Sequence, residues 1–119
     1  MRDHTKLRAF ELADSLVLEV YKVTRNFPDD ERFGLTSQLR RAAISIASNI
    51  VEGAARNGLA DYIRFLDMAY GSVKEVEYQL TIAARLGFGE PLTLRALSDQ
   101  ASETAKVLNA LIRALREKA

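Results

Sequence analysis

The residues best suited to directional chemistry lie in one segment, Arg40 to Arg56, RRAAISIASNIVEGAAR. At about 100° per residue in a helix, Arg41, Ser45, Ser48, Asn49, Glu52 and Arg56 share roughly 100° of arc, while Leu39, Ala42, Ala43, Ile46 and Ile50 fall on the other side. Solvated helix faces favour Lys and Glu. This stripe instead alternates Arg, Ser, Asn and Glu, side chains that make directional hydrogen bonds and can be satisfied when partly buried. It calls for a partner surface.

Two readings of the stripe stay open. In the first, Arg41, Asn49 and Glu52 meet Ser72 and Glu75 of a neighbouring helix, in the same or another protomer, as a hydrogen-bonded network that fixes packing. In the second, Arg40, Arg41, Arg56 and Arg64 form a basic surface for phosphates, with Arg40, Arg56 and Arg64 as the candidate nucleic-acid contacts. Guanidinium suits that task because its planar fork holds two oxygens at once. Catalysis finds no machinery in the sequence. Glu52, Glu75 and Glu77 raise the thought of a carboxylate-bridged di-iron centre, but such a site needs Glu-x-x-His pairs, and the only histidine, His4, stands near an end expected to fray. Phosphate-binding glycine loops, nucleophile elbows and Ser/His/Asp sets are missing. No catalytic, metal, cofactor or small-molecule site is expected.

Four helices must position these residues. The first is expected over about Thr5 to Phe27, with Phe10, Ala13, Leu16, Val17, Val20, Tyr21, Thr24 and Phe27 inward, and ends before Pro28. Residues Pro28 to Gly34 connect, with room for a helical turn over Asp29 to Phe33. The second starts at Leu35 or Thr36, whose hydroxyl can cap free amides, and runs to about Arg56 before Asn57 and Gly58. The third spans about Leu59 to Leu86 and stops at Gly87, which readily turns left-handed. The fourth covers about Pro91 to Lys118, with Leu94, Leu97, Ala101, Ala105, Leu108, Ile112 and Leu115 as its stripe. Strand signals are absent, and short loops give an all-α, antiparallel up-down-up-down four-helix bundle as the default.

The second and third helices carry more apolar character than one core needs. Ile44, Ala47 and Val51 widen the apolar arc of the second, and the outer side of the third holds Met68, Gly71, Glu75, Tyr78 and Ile82 where a monomer would show mostly charge. Gly71 costs about 1 kcal/mol relative to Ala in a helix interior, which is understandable if another backbone approaches there. Of these, Ile44, Val51, Met68, Gly71, Tyr78 and Ile82 form a candidate oligomer interface; the plain alternative is a tolerated glycine among scattered exposed apolar side chains.

Composition bounds the rest. With 119 residues, 48% hydrophobic and 28% charged, the chain fits a single domain over residues 1–119 with its own core. Seventeen basic and sixteen acidic residues leave a formal charge of +1, so a nucleic-acid role must come from local arrangement. Absence of cysteine fits a reducing cytoplasm. The N-terminal MRDHTKLRAF lacks the apolar core of a signal peptide, and no run approaches the roughly 20 apolar residues of a membrane span.

Three stretches carry a resemblance: FELADSLVLEVYKVTRNFP, ERFGLTSQLRRAAISIASNIVEG and DYIRFLDMAYGSVKEVEYQL, the last with a GSxxE element at Gly71, Ser72 and Glu75. In these the chain resembles the bacterial four-helix-bundle proteins named after reading frames in intervening sequences of 23S rRNA genes. The resemblance implies a homopentamer. A similar pentameric bundle serves diversity-generating retroelements as an accessory factor binding RNA and reverse transcriptase. The family often has proline where this chain has Ala47, so its second helix is expected to be straighter. Together these readings point to a non-enzymatic, self-associating protein with a nucleic-acid-associated accessory role, or to a protein-binding scaffold without nucleic-acid contact.

Overall fold

The computed structural model describes residues 2–119 as four helices, α1 (Arg8–Thr24), α2 (Leu35–Ala54), α3 (Leu59–Leu86) and α4 (Pro91–Lys118), with no strand among the described residues. Helix α1 packs on α2 and α4, and α3 likewise packs on α2 and α4. The helices thus occupy the corners of a square. The molecule is 45 Å long, close to the ~42 Å of a 28-residue helix at 1.5 Å per residue, so α3 and α4 run its full length. No helix is long and apolar enough to cross a membrane.

Periodicity places the core as expected. Leu16, Val20, Leu39, Ile46, Ile50, Leu66, Val73, Val76 and Leu108 are completely buried, each removing apolar surface worth about 1.5–3 kcal/mol per side chain. Thr104 joins them because its hydroxyl donates to the Gln100 carbonyl one turn back. Helix α3 ends as its sequence foretells: Gly87 adopts φ +75°, while the amides of Gly87 and Phe88 donate to Ala84 and Ala83 carbonyls. Pro91 occupies the first turn of α4, where its missing N–H costs nothing. Helix α2 runs unbroken through Ala47.

Three expectations need correction. Helix α1 is shorter than Thr5 to Phe27, because Asp3 accepts from the Thr5 amide and sets up a separate 3-10 turn over His4–Lys6, after which Leu7 is extended. Arg2 and His4, expected to fray, are tied to the bundle. The Arg2 amide donates to the Ala54 carbonyl, the Arg2 guanidinium donates to the Arg56 carbonyl, and His4 packs edge-on against Phe10 at 4.7 Å. Thr36 does not cap α2. Gly34 is the cap residue, and the Glu31 carboxylate reaches from the Asp29–Glu31 turn to accept the Leu35 N–H at 3.0 Å, leaving Thr36 buried in the first turn.

Candidate functional site

The polar stripe of α2 meets α3 along a short seam. Arg41 Nη2 donates to Glu75 Oε2 at 2.7 Å, and the hydroxyls of Ser45 and Ser72 lie 3.0 Å apart. Positions that climb along α2 therefore descend along α3. Gln38 Oε1 accepts from Nε and Nη2 of Arg41, Gln79 donates to Glu75 Oε2, and Asn49 donates within its own helix to Ser45. Glu52 is the exception: it is exposed and has no hydrogen bond or ion pair among the described residues. Helical angle put it on the stripe, but by the Arg41–Glu75 and Ser45–Ser72 register it falls level with Arg64 and Phe65, and Asp61 already holds Arg64. The seam is wet as well. Arg41 and Glu75 are 57% and 37% exposed, so within one protomer this is a rim pair and not a buried network. Gln79, which the sequence analysis did not single out, is buried at the seam with its carbonyl oxygen unpartnered among the described residues.

The three candidate phosphate contacts divide between two places. Arg40 sits near the start of α2, whereas Arg56 lies just past its end beside Arg64 on α3. At that end Arg56 and Arg64 both stack on the Phe65 ring, 4.5 and 4.7 Å from its centroid, and both pair with Asp61. Arg2 stacks on Tyr62 at 4.2 Å. Burial pushes the Tyr62 phenol upward in pKa, with the Arg2 charge opposing. Two of these three guanidiniums thus share one carboxylate, while that of Arg2 donates to the Arg56 carbonyl. Arg2 could not be read from periodicity, since a long-range contact of the N-terminal segment brings it there.

Arg40 is held differently. Its Nε donates to the Thr24 hydroxyl at 2.9 Å, that hydroxyl donates to the Val20 carbonyl, and the guanidinium lies 4.5 Å over the Tyr21 ring. Beside it opens a cleft of 470 Å³ whose wall includes Tyr21, Arg32, Phe33, Ser37, Arg40 and Arg41. Arg32 stacks 4.9 Å over Phe33, which is 85% exposed. Neither Arg32 nor Arg40 has an ion pair among the described residues. The ERFGLTSQ motif contains Arg32 and Phe33, so this pair was visible in the sequence, but nothing there showed that both face Arg40. A second cleft of 340 Å³ at the α3–α4 turn is lined mainly by apolar groups such as Leu80, Phe88 and Leu94.

The candidate interface residues lie on the outer faces of α2 and α3. Ile44, Met68 and Tyr78 are 41%, 40% and 62% exposed, Val51 and Ile82 are half-buried, and a Cβ built at Gly71 would meet nothing within 4 Å. The glycine that does admit a close approach is Gly53, where a Cβ would fall 2.8 Å from Phe65 Cβ. Among the described residues no cluster of three or more His, Asp or Glu side chains is placed to hold a metal. Glu77 is engaged by Lys74 at 2.8 Å, which raises the Lys74 pKa.

The sequence model for the 23S rRNA-intervening sequence protein matches residues 5–110. Among solved structures, the chain is similar to a protein of unknown function from the S23 ribosomal protein family of Bacteroides thetaiotaomicron, at TM-score 0.82 and 21% identity, covering 88% of this chain and 95% of that one. At that identity the likeness speaks for the four-helix fold. No curated protein matches the chain. The match across residues 5–110 places this chain in the 23S rRNA-intervening sequence protein family.

Proposed function

We propose that this chain is a non-enzymatic antiparallel up-down-up-down bundle that self-associates, as a pentamer by resemblance, and presents arginines to the phosphates of a nucleic acid in the cytoplasm. The observation that carries the reading is the outer face of α2 and α3. Ile44, Met68 and Tyr78 stay exposed and Gly71 has open space around it, and apolar exposure of this kind supports an interaction surface. Self-association would repeat each arginine by symmetry and so compensate for a protomer charge of only +1. The pairing of both Arg56 and Arg64 with Asp61 favours the second reading, a protein-binding scaffold.

Light scattering at micromolar concentration tests assembly: the expected mass is several times 13.3 kDa. A monomer would remove the basis of the proposal. Failure of the intact assembly to bind RNA or DNA at low salt would leave the scaffold reading in its place.

A further inference from the structure

We propose that the cleft between α1 and the start of α2 binds a nucleotide of single-stranded nucleic acid, its phosphate on Arg40 and Arg32 and its base on the open face of Phe33. This rests on the nucleic-acid reading above and moves its point of contact away from Arg56 and Arg64. Both of those arginines already pair with Asp61, so a phosphate there must compete with a carboxylate. At the cleft, Arg41 is paired with Glu75, but Arg32 and Arg40 have no carboxylate partner among the described residues. Arg40 is oriented by Thr24 and Tyr21 through its Nε and its ring-facing side, which leaves both terminal nitrogens free to fork onto two phosphate oxygens. Among the described residues, the Arg32 side chain is held only by stacking on Phe33. Asp29, Asp30 and Glu31 stand on the same connector but none lines the cleft, and the Glu31 carboxylate is occupied by the Leu35 amide.

The shape of the site selects a single strand. An 85% exposed phenylalanine with a guanidinium on one side leaves its other side for a flat ring, and only an unstacked base offers one. A duplex keeps its bases stacked and could use the arginines alone. The cleft volume of 470 Å³ lies within the usual 300–1,000 Å³ of ligand sites. Ile44, part of the proposed self-association face, also lines the cleft, so a second copy of this chain is the competing occupant that the test must exclude.

The test is fluorescence anisotropy with labelled RNA and DNA strands of about ten nucleotides, within the span of single-strand sites, and with the matching duplexes, all at low salt. Phe33→Leu should weaken single-strand binding about tenfold, the scale of one base–aromatic stack, and leave duplex binding unchanged. Arg32→Ala should weaken both. Phe33→Trp puts the only tryptophan of the chain in the cleft, and its emission should be quenched on adding the strand. Binding of Phe33→Leu equal to wild type, with loss confined to an Arg56→Ala/Arg64→Ala variant, would overturn the cleft and keep the broader reading. No binding by the wild type would sink both. If Phe33→Leu loses binding together with oligomer mass, Phe33 joins copies of the chain and the cleft assignment is wrong.

Discussion

At Gly53 a methyl group would lie 2.8 Å from Phe65 Cβ and 3.3 Å from the Tyr62 ring and carbonyl, so the α2–α3 crossing depends on a hydrogen there. Gly53→Ala should cost about 1–3 kcal/mol, the usual range for overpacking, and chemical denaturation would read it directly. Gly71→Ala should do the reverse. With open space around Gly71, restoring helix propensity stabilises the fold by up to about 1 kcal/mol, unless a neighbouring backbone occupies that space in the assembly. A stabilised Gly71→Ala with its oligomer mass intact would move the interface elsewhere; a destabilised one with reduced mass would place it there. Only one of these glycines stood out in the sequence. Gly71 interrupts a long amphipathic pattern on the outer side, where chain chemistry alone makes it odd. Gly53 is the penultimate residue of α2, where a glycine passes as punctuation, and its role appears only once Phe65 is known to cross it.

Element by element, the inward faces could be read from period alone, because burial follows the helical angle: Leu39, Ala42, Ala43, Ile46 and Ile50, expected on one side of α2, are all buried. Angle says nothing of height along a neighbour. That is why Glu52 was placed in a network it does not join, and why Ser45, which pairs with Ser72, was left in the stripe without a partner. The expectation of a buried network also changes in size. Removing one member of a buried ion pair costs about 3–5 kcal/mol, but Arg41 and Glu75 are 57% and 37% exposed, which calls for about 0.2–1 kcal/mol. Arg41→Ala and Glu75→Ala should therefore each cost no more than about 1 kcal/mol in a dilute protomer, and Glu52→Ala about nothing. Thermal melts across a concentration series would check this. A loss of several kcal/mol for Arg41→Ala that appears only in the associated form would mean that another copy covers the seam and turns the rim pair into a buried one.

For the whole molecule, charge arithmetic sets the terms on which any nucleic acid is held. A protomer with a formal charge of +1 provides little long-range attraction, while its candidate phosphate contacts sit in separate groups, Arg32 and Arg40 near the start of α2 and Arg56 and Arg64 at its other end. Binding should then depend on assembly, and it should be electrostatic, because contacts to phosphates position a protein without reading bases. For single strands the logarithm of affinity should fall with the logarithm of salt by about 0.7 per phosphate neutralised, against about 0.9 for duplex DNA. Anisotropy across a salt series on intact oligomer gives that slope. An Arg40→Ala/Arg56→Ala/Arg64→Ala variant should flatten it without unfolding the bundle, since none of the three side chains belongs to the core. Gly71→Leu, if it disperses the oligomer, should weaken binding far more than the loss of any one arginine, because it removes every symmetry-repeated contact at once. A dispersed protein that binds as tightly as the assembly, with the same slope, would mean that one protomer holds the whole site and that symmetry contributes nothing to affinity.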